Sequence, residues 1–154
     1  MTDLTPTRLR TLLAAFPPLR IGVVGDFFLD AYYDCDPALD EKSLETGRTC
    51  YQVVGHRRQA GAAGTVAANL RALGVGKVAA VGYCGDDGEG YELRRAMRGL
   101  GLDLADFVTT PNRFTPTYGK PCYIDSTQGG RPVVEELERL DSKNGHPTPA
   151  SLQD

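Results

Sequence analysis

The stretch Arg20-Ile21-Gly22-Val23-Val24-Gly25-Asp26 decides the fold class. A compact β-branched run that ends in glycine and a carboxylate reads as a strand buried on both faces, which makes Arg20 to Gly25 a central-strand candidate. Downstream, Gly61 to Leu73 is small and helix-forming, with Val66, Leu70 and Leu73 on one face and Gly74 placed to end it. A second apolar run, Val78 to Val81, follows directly. Gly88 to Leu100 then carries helical spacing through Tyr91, Leu93, Met97 and Leu100. Strand, helix, strand, helix in this order predicts an α/β fold with a parallel sheet.

The flanking sequence is less regular. Leu9, Leu12, Leu13 and Phe16 predict a short leading helix over Thr7 to Phe16, stopped by Pro17-Pro18. Asp30 to Arg58 breaks the pattern with polar and aromatic residues and holds one strand candidate, Thr49 to Val54; this insert is expected to form a lid or subdomain edge. Asp106 to Thr109 reads as a strand. Tyr118 to Ile124 alternates, and Pro116 and Pro121 place it at a sheet edge. Val133, Val134, Leu137 and Leu140 give Arg131 to Leu140 a helical propensity. Thr148-Pro149 reads as a helix start that runs into Asp154.

Composition narrows the function classes. Of 154 residues 41% are hydrophobic and 24% charged, an ordinary globular balance that permits a core without disulfide or metal staples. Seventeen Lys plus Arg against twenty Asp plus Glu leave no positive field for a polyanion, so nucleic acid is not an expected partner. The apolar run Leu12 to Phe16 is too short for a secretory or membrane segment, so no membrane partner is expected. Cys35, Cys50, Cys84 and Cys122 lack metal-ligand spacing and read as reduced thiols of a cytoplasmic protein.

Four segments carry candidate chemistry. Gly25-Asp26-Phe27-Phe28-Leu29-Asp30 ends the first strand, where a carboxylate either accepts from sugar hydroxyls or caps the next element. Ala60-Gly61-Ala62-Ala63-Gly64-Thr65 opens a helix, so its backbone either approaches a ligand or packs tightly on the sheet. It matches neither a dinucleotide fingerprint nor a P-loop. The carboxylates of Asp86 and Asp87 are better placed as helix caps than as Mg²⁺ ligands. In His56-Arg57-Arg58 a phosphate clamp competes with a solvated charged face, and the second is favoured because no other phosphate motif accompanies the run. No serine or cysteine nucleophile motif is present.

The order and spacing of the Gly25-Asp26-x-x-x-Asp30 start, the Gly-Ala-Ala-Gly helix ending at Leu73-Gly74, and Val81-Gly82-x-x-Gly85-Asp86-Asp87-x-x-Gly90 resemble the ribokinase-like (PfkB) carbohydrate kinases. Thr115 to Pro121 and Glu138 to Asn144 look like the branch nearest the heptose-phosphate kinases. The resemblance runs from about Leu19 to Pro149. It implies a ribokinase-like parallel-sheet core with a small β lid, formed from about 31–59 and 112–127, truncated to the N-terminal half of such a domain. By the same resemblance Asp30 accepts from sugar hydroxyls, Gly61 and Ala62 face the sugar through backbone, Tyr51 lies in the lid, Asp141 stands near the sugar, and Arg131 to Leu140 is a strand. Thr65 occupies the position where the family has a sugar-contacting asparagine. A complete member uses ATP and Mg²⁺, but its Asp-Thr-x-Gly-Ala-Gly-Asp segment with the catalytic base has no counterpart in this sequence. The expectation is therefore a sugar-binding half without catalytic residues or a nucleotide of its own, inactive alone. Its expected partners are a sugar or sugar phosphate, and either a second copy through the lid or a complementary C-terminal half. A sugar-phosphate binding module, a dimerisation module and a degenerate gene fragment are the other readings.

Overall fold

The computed structural model describes residues 4–153. After helix α1 (Pro6–Ala14), strand β1 (Arg20–Val24) pairs in parallel with β6 (Lys77–Gly85), which pairs in parallel with β7 (Phe107–Thr110). Helices α2 (Ala63–Ala72) and α3 (Gly88–Gly99) pack on one face of this three-stranded sheet. That face holds the core, with Val23, Val78, Ala80, Leu93, Met97 and Phe107 buried. The α/β expectation is met, but β6 and not β1 is the central strand. Along β1 only Val23 is buried, because among the described residues no helix layer lies across the opposite face of the sheet, with Val24, Val81, Tyr83 and Val108.

The second sheet is built from the insert. β2 (Phe27–Cys35) pairs antiparallel with β5 (Val53–Ala62) and parallel with β8 (Thr117–Ile124), and β10 (Leu140–Ser142) and β9 (Val133–Glu136) add to β8. A short pair, β3 (Glu41–Lys42) with β4 (Thr49–Cys50), lies beyond. The expected Thr49–Val54 strand is split at Tyr51-Gln52 between β4 and β5. Asp30 falls inside a nine-residue strand rather than in a loop, because Phe27, Leu29 and Ala31 alternate into the core.

Three further expectations are corrected. β8 is interior, not an edge. Pro121 is tolerated there because its carbonyl accepts from Leu137 N at 2.9 Å, which puts its missing donor on the outer side, in the gap where β10 ends and β9 begins. Within Arg131 to Leu140 only Val133–Glu136, and Leu140 at the start of β10, are strand, in part as the resemblance implied and against the helical propensity, since pairing of Val133 with Ile124 and of Glu136 with Cys122 satisfies the backbone of β9. Residues 150–152 make one 3-10 turn, and Thr148 does not cap it: its hydroxyl meets the Tyr83 hydroxyl at 3.1 Å. Asp154 lies outside the described residues.

No helix among the described residues is long and apolar enough to cross a membrane.

Candidate functional site

Alternation along β2 turns Phe28, Asp30, Tyr32 and Asp34 to one face of the insert sheet. Register brings Gly61, Gln59 and Arg57 from β5, and Tyr118 and Lys120 from β8, to the same face. Asp141 of β10 stands opposite Tyr118, which stands opposite Asp30. Two strand spacings put the Asp30 and Asp141 backbones about 10 Å apart. Three of the five candidate residues, Asp30, Gly61 and Asp141, therefore share one surface.

Asp30 is the anchor of that surface. Its Oδ1 lies 2.8 Å from Lys120 Nζ, and the two side chains are only 17% and 16% exposed. Lys120 also donates to the Tyr32 hydroxyl at 3.3 Å and rides 4.8 Å from the Tyr32 ring. Burial works against the Lys120 ammonium, but the hydrogen bonds to Asp30 and then Tyr32 outweigh it and leave its pKa above the ordinary lysine value. Oδ2 of Asp30 lies against Gly61, where no side chain intervenes.

Asp141 is held differently. Arg139 Nε and Lys143 Nζ approach its carboxylate at 2.7 and 3.1 Å, and both cations also lie over the Tyr118 ring. Desolvation would raise the Asp141 pKa; the hydrogen bonds from Arg139 and Lys143 overcome it and hold it below the usual carboxylate value. A cavity of about 590 Å³ touches Asp141 and Lys143 but opens past Tyr33, Gly119 and Leu140, the other face of the sheet, and Asp30 does not line it. The arrangement of polar groups, not cavity size, marks the Asp30 surface as the candidate site.

Ala62 and Thr65 lie off this surface. Ala62 ends β5 at φ 50°, ψ −117°, a turn conformation that glycine adopts readily and alanine does not. Thr65 is exposed on α2, beside Arg58, Gln59 and Ala68. Asp87 is a cap: it accepts from Gly90 N at 2.7 Å and from the buried Thr115 through both its amide and its hydroxyl. Cys35, Cys50, Cys84 and Cys122 are all unpaired thiols. Lys120, Tyr32 and Tyr118 join the site beyond the sequence candidates: period-two alternation puts Tyr32 on the face of Asp30, whereas Tyr118 and Lys120 reach it only through the β2–β8 register.

No family model and no curated protein matches the chain. Solved structures do match it. A carbohydrate kinase from Agrobacterium tumefaciens is 21% identical over 80% of this chain and 35% of that one, with a TM-score of 0.51. A ribokinase from Arabidopsis thaliana, solved with ribose and ATP, is 16% identical over 80% of this chain and 35% of that one, with a TM-score of 0.52. The chain thus has a ribokinase-like fold and spans about a third of the length of these structures.

Proposed function

We propose that the chain is the sugar-side portion of an ATP-dependent carbohydrate kinase, nearest the heptose-phosphate branch, and that Asp30 is its principal acceptor for sugar hydroxyls. The observation that carries this reading is the Asp30 carboxylate itself: Oδ1 is engaged by Lys120, while Oδ2 faces the bare backbone of Gly61. A largely buried carboxylate with one oxygen committed to a cation is preorganised to take a hydroxyl on the other. In this reading Gly61 presents backbone to the sugar, Asp141 borders it, and segments 31–59 and 112–127 form the lid, while Ala62 and Thr65, which lie off that surface, are given no contact with the sugar.

In this reading the nucleotide side belongs to a complementary half, and phosphoryl transfer, which rests on positioned charge, is not expected of this chain alone.

The test is calorimetric titration with a heptose phosphate and a panel of hexoses, beside a coupled assay for ADP release. Binding that falls by roughly 1.5–3 kcal/mol in Asp30→Ala supports the reading. Sugar affinity that is absent, or indifferent to Asp30→Ala, overturns the assignment; ADP release by the chain alone overturns its expected inactivity.

A further inference from the structure

Within His56-Arg57-Arg58 the two arginines have different fates. Arg57 is spent on Asp34, with Nη2 at 2.8 Å and Nε within 3.1 Å of both carboxylate oxygens. Arg58 points to the other face of the sheet, and among the described residues no carboxylate pairs with it. Its guanidinium is nevertheless fixed: Nη1 donates to the carbonyls of Tyr32 at 3.0 Å and Arg57 at 3.2 Å, and the plane lies 4.9 Å from the Tyr33 ring centre. Nη2 lies 3.1 Å from Nδ1 of His56. A guanidinium only donates, so Nδ1 accepts and the imidazole proton sits on Nε2 as a further donor.

A second cation, Arg95, comes from α3. Together His56, Arg58, Glu92, Arg95 and Ala96 line a cavity of about 300 Å³. A second cavity of about 300 Å³ shares Arg58 and Ala96 and continues past Ala60, Thr65, Ala68 and Leu100. One end of this groove is cationic and its continuation is largely apolar. Each cavity is at the lower bound for small-molecule sites.

We propose that the groove between β5 and α3 binds a phosphate monoester, its phosphate on Arg58, Arg95 and His56 Nε2–H and its organic body along Ala60, Ala68 and Leu100. A rigid, unpaired guanidinium is suited to phosphate, which takes parallel hydrogen bonds from it. Glu92, 3.3 Å from Arg95, occupies the anion's place when no ligand is present. The groove lies across the sheet from Asp30, so this inference stands or falls independently of the proposed sugar site.

The experiment is amide chemical-shift titration of the full chain with inorganic phosphate and with phenyl phosphate, at matched ionic strength. Saturable shifts at His56, Arg58 and Arg95 are expected, tighter for phenyl phosphate. Arg58→Gln and Arg95→Gln should each weaken binding about tenfold, the loss of one charge-assisted hydrogen bond. Glu92→Gln should tighten binding, and Arg10→Gln on α1 should leave it unchanged. Arg95 is exposed on α3, so its variant keeps the test valid even where Arg58→Gln disturbs the sheet. Equal shifts with sodium chloride, or unchanged affinity in both arginine variants, would overturn the site. Phenyl phosphate binding no more tightly than inorganic phosphate would remove the apolar half of the groove from it.

Discussion

Oδ2 of Asp30 occupies the space that a side chain at Gly61 would need: an ideal Cβ there falls 2.6 Å from that oxygen and 3.0 Å from Cγ. Gly61→Ala must therefore push the carboxylate away and loosen its hold on Lys120. A cost of roughly 1–3 kcal/mol in urea unfolding is expected, as for other overpacked sites. In an Asp30→Ala background the obstruction is gone, so the same substitution should cost little. Additive effects in the double variant would show that the two side-chain positions do not compete for space.

Ala62 holds a conformation proper to glycine, φ 50° and ψ −117°, at the junction of β5 and α2. Relief of that strain is worth about 1–2 kcal/mol, against roughly 0.5–1 kcal/mol of extra chain entropy that glycine loses on folding. Ala62→Gly should thus raise stability by up to about 1 kcal/mol, read as a higher melting temperature. A lowered melting temperature would mean that the backbone at this position is unstrained.

Tyr123 donates its hydroxyl to Asp40, and that bond, with burial behind it, pushes the phenol up from 10.0 to about 12. The folded chain keeps this proton more tightly than the unfolded chain. The stabilisation is therefore complete below pH 10 and lost as pH rises toward about 12. Urea midpoints of the parent and Tyr123→Phe should differ at neutral pH and converge across that window. A constant gap would separate Tyr123 from the alkaline transition.

Val24 is 78% exposed and Val108 49% exposed on the uncovered face of the parallel sheet. Parallel sheets are ordinarily covered on both faces, so this one should bind hydrophobic dye and self-associate. Val24→Lys with Val108→Lys should suppress both while changing stability by no more than about 0.5 kcal/mol per site. Dye binding at background in the parent chain, together with monomeric sedimentation, would contradict an open face.

The βαβ core was legible because its signals are local: Gly74 ends α2 at φ 89°, and Asp87 caps α3. The insert sheet was harder to read. Its strands pair across long separations, Asp30 with Gln59 and Tyr118, and no local pattern encodes that pairing. Arg131 to Leu140 read as helix for the same reason. Asp30, Gly61 and Asp141 came from motif spacing and were found on one face; Lys120 was missed because a lone lysine between proline and glycine carries no chemistry until the register sets it beside Asp30.

Only Gly25 and Asp26 separate β1 from β2, and β5 passes into α2 at Ala62-Ala63 without a loop. The amide of Ala63 donates to the Asp26 carbonyl at 3.0 Å, so the two crossings are tied side by side. Between them and the far end, β2 and β5 are laddered from Phe27–Ala62 to Cys35–Val53. Mechanically the ladder is a stiff board whose apolar side, with Phe27, Leu29, Ala31 and Ala60, is set into the core beside Leu93 and Met97. The Asp30 carboxylate and the Gly61 backbone are thereby held at a fixed mutual spacing, so that only what stands across from them can change its distance.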